Sequence, residues 1–283
     1  MSIDAHFHIW RLARGDYAWL TPALGAIHRD VGVDDWRHLA APLGVHGGVL
    51  VQAAPTEAET QFLLDTADAT DCVLGVVGWC DLLAADAAER VARLARHAKL
   101  KGLRPMLQDI PDPDWILDPL LGPALQVMVE HDLVFDALVY PQHLPRIREL
   151  ARRHPRLRMV IDHGGKPDIA NEGWLPWAHE LQCVSVETAA SCKLSGLLTQ
   201  ANSTESRVLE PWMRHVLECF GPERILWGSD WPVLEQVGSY ERWWQVSREM
   251  TSAFDASEQE AIFGGNARRI YRLDSKRGAS SSG

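Results

Sequence analysis

The chain alternates eight times between a short run rich in Val, Ile and Leu and a longer helical pattern, and this rhythm limits what it can fold into. Short apolar runs suit the doubly covered strands of a parallel sheet, where each strand pair needs a crossover that is usually helical. The runs fall near residues 2–10, 47–53, 73–79, 100–106, 134–139, 158–162, 192–195 and 224–228. Helical patterns fall near 33–42, 57–68, 86–97, 119–130, 174–181 and 203–220, with another ending at His154. Two more follow the last run, near 240–252 and 257–269. Eight such units close into a single α/β domain, a (β/α)8 barrel of the TIM type, and 283 residues suit one barrel. The predicted organisation is a barrel over residues 1–274, followed by a flexible Gly- and Ser-rich tail over 275–283.

Composition excludes several classes of partner. A formal charge of -10 disfavours a nucleic-acid backbone, which is bound by clustered Lys and Arg. No early stretch has the order of a signal peptide, and no apolar run approaches the ~18 residues of a membrane span. The five cysteines form no Cys-x-x-Cys pair and read as reduced thiols, so the expected setting is cytoplasmic, with a small molecule as partner. Oligomeric state is not legible.

The polar residues that break the pattern stand where the runs end. In a β/α barrel the carboxyl ends of the strands converge on one cleft. His6 and His8 end the first run, Gln52 the second, Arg104 the fourth, His163 the sixth and Asp230 the eighth. Alternation along a strand puts His6 and His8 on one face, where two imidazoles can hold a divalent cation or address a carbonyl oxygen. A fixed pair of half-exposed strand-end histidines is the plainer alternative. Of the twelve tryptophans, Trp36, Trp115, Trp212, Trp243 and Trp244 are expected to pack helices. Trp10, Trp79, Trp227 and Trp231, beside strand ends, are candidates to wall a pocket.

Four segments taken together resemble the amidohydrolase superfamily. They are Asp4-Ala5-His6-Phe7-His8, Asp162-His163-Gly164-Gly165-Lys166-Pro167, Gly228-Ser229-Asp230-Trp231-Pro232 and Gly265-Asn266-Ala267. The likeness is greatest to a branch that includes fuconolactonases, rhamnonolactonases and pyrone dicarboxylate hydrolases, and it spans nearly the whole chain. It implies a barrel whose site is built from the first, fourth, sixth and eighth strands. The chain departs from binuclear members, which resemble one another in a bridging Lys or Glu on the fourth strand and a His on the fifth. Here the fourth strand presents Arg104, which stays protonated and is no ordinary metal ligand, and the fifth offers Asp136 and Tyr140. The resemblance implies either one divalent ion, zinc first, held by His6, His8 and Asp230, or a site that works without metal.

Lactone hydrolysis needs a base for water, stabilisation of the oxyanion and a proton for the leaving ring oxygen. Asp230 is assigned as general base and later proton donor, by its position and by the resemblance. Arg104 suits a forked contact with the carbonyl or the product carboxylate, and His163 suits the oxyanion or a substrate hydroxyl. The structural alternatives are a loop cap for Asp230, a salt bridge sealing the barrel for Arg104 and a hydrogen-bonded strand-end residue for His163. Gln52, Trp79, Tyr140, His28 and Trp231 are candidates for sugar contacts, and Lys166 for clamping its loop. One confident arginine favours a neutral sugar-acid lactone over a dicarboxylate pyrone or muconolactone. A metal-dependent decarboxylase on the same barrel and a non-catalytic binding barrel remain the other readings. Neither a Gly-rich phosphate loop nor a Gly-x-Ser-x-Gly elbow is present.

Overall fold

The computed structural model describes residues 1–273, so the expected tail over 275–283 lies outside the described residues. Eight strands pair in chain order, β1 (Ser2–Phe7), β2 (Val45–Val51), β3 (Val73–Gly78), β4 (Leu100–Leu103), β5 (Val134–Ala137), β6 (Met159–Ile161), β7 (Ser191–Leu194) and β8 (Ile225–Trp227). Every neighbouring pair is parallel. The sheet closes just beyond β1 and β8. The Asp230 amide donates to His6 O at 2.8 Å, the His8 amide donates to Trp231 O at 2.7 Å, and Phe7 forms a parallel bridge with Trp231. This is the predicted barrel.

Helices α1 (Val33–Ala40), α2 (Glu57–Asp68), α3 (Ala87–Leu94), α4 (Gly122–Glu130), α5 (Leu144–Arg153) and α6 (Trp174–Glu187) follow the first six strands in turn. Between β7 and β8 the helix expected over 203–220 is α8 (Ser206–Phe220), and a short unexpected helix, α7 (Leu197–Ala201), precedes it and ends at Asn202 in the left-handed region. After β8 come α9 (Tyr240–Met250), α10 (Ala256–Glu260) and α11 (Asn266–Tyr271). The last two were expected as one helix, but a π-turn over Ala261–Gly265 intervenes. Thr56 caps α2 as its sequence suggests, its hydroxyl accepting from the Glu59 amide at 3.0 Å.

Strands β1 and β4 stop short of their apolar runs. After Phe7 the chain leaves the sheet, and Trp10 pairs instead with Val31 in an antiparallel bridge. After Leu103, Pro105 brings no N–H for a ladder.

Two cores result. The larger fills the space between sheet and helices and includes the stacked pair Phe7 and Trp36. The smaller lies inside the barrel, where Ile3, Ala5, Val49, Val51, Val77, Val134, Val160 and Leu226 meet Ala267, Ile270 and Tyr271 of α11, which stoppers the amino-terminal end. Ile3 and Ala5 thus face inward while Asp4 and Phe7 face out, and the ladder between β1 and β2 is irregular between Asp4 and Phe7. That irregularity lets His6 turn inward one residue after Ala5, a local re-aiming typical of bulges beside sites.

Candidate active site

Asp4 fixes the seam on which the site stands. Its buried carboxylate accepts from the amides of His6 at 3.1 Å and Ser229 at 2.8 Å, and from Trp36 Nε1 and Tyr240 Oη, each at 3.0 Å. Four donors leave it no part in chemistry, and it ties β1 to the exit of β8. Gly228 completes the seam: a Cβ there would lie 2.8 Å from the Cβ of His6. Gly196, at φ +67°, similarly leaves room for the His163 ring, 2.6 Å from where its Cβ would stand.

The sequence-predicted pair does converge. His6 Nε2 lies 3.1 Å from His8 Nε2, and Asp230 Oδ1 lies 3.7 Å and 3.4 Å from these atoms. His163 Nε2 lies 3.8 Å from the same oxygen, its Nδ1 2.9 Å from Ser195 Oγ. Arg104 places Nη1 3.3 Å from His6 Nε2 and 3.2 Å from Asp162 Oδ2, while Nη2 donates to Gln52 O. Asp230, His163 and Lys166 all have positive φ, at 60°, 55° and 48°. Left-handed backbone at three non-glycine residues of one site is strain held by the surrounding fold.

Beneath this ring lies a charged floor that sequence reasoning missed. Lys193 Nζ sits 2.6 Å from Asp136 Oδ2, 3.0 Å from Asp162 Oδ1 and 3.1 Å from His6 Nδ1. Tyr271 Oη donates to Asp136 from below at 2.8 Å. The signal available was one lysine inside the apolar run Ser191-Cys192-Lys193-Leu194, where a charge is fully buried only if paired.

These contacts set the protonation states. Burial opposes the charge of Asp162, yet Lys193, His6 and Arg104 hold its carboxyl well below the usual range. Asp136, buried with one cation and repelled by Asp162, is pushed up to about 6. Burial, reinforced by Lys193, lowers His6 well below the ordinary imidazole value, so its ring is neutral. Burial lowers His163 to about 4. Asp230 is also opposed by burial, but the surrounding imidazoles, His163 foremost, hold it below the usual carboxylate range.

Above the ring opens a cavity of about 670 Å³, within the range of small-molecule sites. His8, Arg104, His163, Lys166 and Asp230 reach it from the strand ends. Its walls carry Gln108, Thr199, Gln200, Gln236, Asp16 and Asp109, and one tryptophan, Trp19, whose Nε1 donates to Ala53 O at 2.7 Å. Buried Glu59, pushed up to about 7 by burial, accepts from the amides of Ala53 and Ala54 and so fixes the wall after β2.

The five expected sugar contacts stand elsewhere. None of Gln52, Trp79, Tyr140, His28 and Trp231 is among the residues that line the cavity. Gln52 braces Arg104, its Nε2 donating to Arg104 O at 2.7 Å. Trp231 is buried, with Nε1 donating to Glu235 Oε1 at 2.7 Å. Trp10 and Trp227 also belong to the core rather than to a pocket wall. Trp79 is half-buried against Thr60, and His28 ends a short turn after β1. Tyr140 is exposed, with Lys166 Nζ 5.6 Å from its ring. The expected packing tryptophans do pack: Trp36, Trp212 and Trp243 are buried, and Trp115 and Trp244 lie against the same core.

Ligand groups for a cation are present. Among the described residues two clusters qualify, His6, His8 and Asp230, and His6, Asp162 and His163. Both need His6, and Lys193 and Arg104 already neutralise Asp162, so the first is the better donor set. A tetrahedral ion with ligands at about 2.1 Å spaces their atoms about 3.4 Å apart, close to the separations in that first cluster. His8 is oriented for the role, its Nδ1 donating to Val51 O at 2.7 Å and leaving Nε2 bare toward the site.

A (β/α)8 barrel with paired histidines at the end of its first strand and an aspartate after its eighth has the architecture of the barrel enzymes that work at their strand ends. The sequence profile of the amidohydrolase family matches residues 3–273, and the chain belongs to that family. It is 45% identical over 277 residues to an L-fucono-1,5-lactonase of Burkholderia ambifaria, covering 96% of each chain. It is 34% identical over 286 residues to an L-fucono-1,5-lactonase of Burkholderia multivorans, again covering 96% of each. A crystal structure of an amidohydrolase from Burkholderia multivorans with zinc bound superposes with a TM-score of 0.91 at 34% identity, covering 96% of this chain and 99% of that one.

Proposed function

We propose that the chain opens the ring of a neutral sugar-acid lactone, L-fucono-1,5-lactone first among candidates, to the free hydroxy acid. One observation carries the substrate class. The cavity wall is rich in uncharged hydrogen-bonding groups, Gln108, Thr199, Gln200 and Gln236, beside the indole of Trp19, and its carboxylates Asp16, Asp109 and Asp230 outnumber its cations Arg104 and Lys166. Such a lining suits hydroxyls and the apolar face of a sugar ring, and repels a dianion.

In this reading Asp230, ionised at any working pH, takes the proton of the attacking water and returns it to the ring oxygen. Its lowered pKa limits its strength as a base, so the carbonyl must be well polarised. Arg104 and the neutral His163 do this by donating to the developing oxyanion. His6, His8 and Asp230 are the residues that would hold a divalent ion, zinc first, and its chemistry there would be Lewis acidity. Lys166, beside Gln108 at 2.5 Å, is placed to receive the product carboxylate. The partner is a small molecule, not nucleic acid or membrane. Among the described residues no helix is long and apolar enough to cross a membrane, and the five cysteines are free, which supports a cytoplasmic setting.

A panel of aldonolactones and a pyrone dicarboxylate, run by pH indicator on metal-depleted and zinc-loaded protein, tests the reading. Fastest turnover on a neutral six-membered sugar lactone is expected. Faster turnover of the dicarboxylate overturns the substrate class, and carbon dioxide release overturns the reaction.

A further inference from the structure

We propose that Asp16 sets the substrate preference of the cavity by accepting hydrogen bonds from hydroxyls on the sugar ring, with Arg14 as its positioning residue. The inference deepens the sugar-lactone reading above and rests on it. Three carboxylates line the cavity, Asp16, Asp109 and Asp230. Asp230 stands among the imidazoles, and Asp109 is exposed on a short turn after β4. Asp16 differs from both, because it stands on the wall and is held there by a cation.

Its place is built by the helix behind it. The turn Leu12–Arg14 ends at Gly15, in the left-handed region at φ +73°, and Asp16 follows. Arg14 Nη2 donates to Asp16 Oδ2, and the guanidinium carbon lies 4.7 Å from the centre of the Phe62 ring on α2. The two paired side chains are only 24% and 17% exposed, so the pair is held more firmly than one in open water. Tyr17 is buried in the core against Trp10, while Asp16, Ala18 and Trp19 line the cavity. Trp19 is anchored in turn, its indole donating to Ala53 O, and Glu59 of α2 accepts from the Ala53 amide. Both ends of the segment from Arg14 to Trp19 are thus pinned to α2 or to the wall that α2 braces.

A carboxylate only accepts, at about four lone-pair sites, and a guanidinium only donates. Among the described residues only Arg14 pairs with the Asp16 side chain, which leaves acceptor sites for the cavity. A neutral lactone can meet them only with a hydroxyl, since its carbonyl and ring oxygens also accept. A lactone without hydroxyls leaves the carboxylate stripped of water and unpaired, and sites built to bind a hydroxyl reject such analogues strongly. Trp19, on the same segment, offers an aromatic face to the C–H side of the sugar ring.

Steady-state kinetics on L-fucono-1,5-lactone and on δ-valerolactone, the six-membered lactone without hydroxyls, test this. In Asp16→Ala the ratio of kcat/KM for the first to that for the second is expected to fall about 10–100-fold, the worth of a hydrogen bond to a charged group, with the loss on the sugar lactone in KM. Arg14→Met is expected to lower the same ratio, and Arg14→Lys to restore most of it. Equal losses on both lactones, the mark of a residue that only shapes its loop, overturn the proposal, as does an unmoved ratio. If Asp16→Ala fails to fold, Asp16→Asn, which keeps the shape and removes the charge, is read in the same way. If δ-valerolactone is turned over too slowly to measure, the sugar lactone decides: a loss in KM with kcat retained supports the proposal, and a loss in kcat overturns it. A native chain that opens no sugar lactone sinks the proposed function as well, whereas native turnover with a ratio that neither substitution moves sinks this inference alone.

Discussion

The floor of the barrel and its mouth are built on opposite terms. On the floor, His6, Asp136, Asp162 and Lys193 are wholly excluded from water, and Tyr271 nearly so. Each charge there is held by another, with Lys193 and Arg104 set against Asp136 and Asp162. At the mouth, Trp19 is 36% exposed, and the glutamines stand on short helical turns that follow the strands, Gln108 after β4, Gln200 in α7 and Gln236 after β8. Buried charges that satisfy one another can be changed only together, whereas groups facing water can be exchanged singly. The comparison teaches that the chemistry belongs to the floor and the ring above it, and recognition to the mouth.

The largest effect is expected where the two regions meet. Asp230→Asn should lower kcat by roughly 10²–10⁴-fold, the range for loss of a general base, with the fold intact by circular dichroism. An unchanged rate would mean that the base lies elsewhere or that the barrel is not catalytic. On the floor, Lys193→Ala strands two buried carboxylates and should cost about 3–5 kcal/mol by denaturant unfolding. The neutral Lys193→Met/Asp136→Asn pair should cost much less, and equal losses would contradict the picture of charges held in common.

A third effect reads the ring through pH. His163 falls from the ordinary 6.5 to about 4, so on acidification the unfolded chain takes up its proton first. Its contribution to stability is therefore complete above pH 6.5 and is lost as pH falls through about 4, an effect of about 3 kcal/mol at 1.36 kcal/mol per unit. Metal-depleted His163→Gln protein should show a flatter stability profile over that window, and an unaltered slope would assign the loss to other groups. The smallest effect is at the mouth, where Trp19→Ala should raise KM about tenfold and leave kcat and stability nearly unchanged, a loss of about 1–2 kcal/mol of binding.

Much of the ring was legible, because a strand end in a barrel is a fixed address. The runs located His6, His8, Arg104, His163 and Asp230 at strand ends, and the structure gathers all five. The floor was harder to read. Lys193 and His6 are 187 residues apart in sequence, and pairing between strands tells nothing of how far a lysine reaches across the barrel. The π-turn before α11, which brings Tyr271 under Asp136, leaves no mark in helical periodicity. The mouth misled for another reason. Tryptophans next to strand-end motifs were expected to wall the pocket, but closure of β1 onto β8 draws Trp227 and Trp231 into the core, and the long loop after β1 supplies Trp19 instead. Loop residues carry no periodicity from which their direction could be read.

The division between floor and mouth is tested most directly by steady-state kinetics on L-fucono-1,5-lactone, comparing the native chain with Asp230→Asn and Trp19→Ala. The account predicts that Asp230→Asn loses kcat with KM nearly retained, and that Trp19→Ala loses KM with kcat nearly retained. The reverse assignment, or loss of both parameters together in each variant, would contradict it.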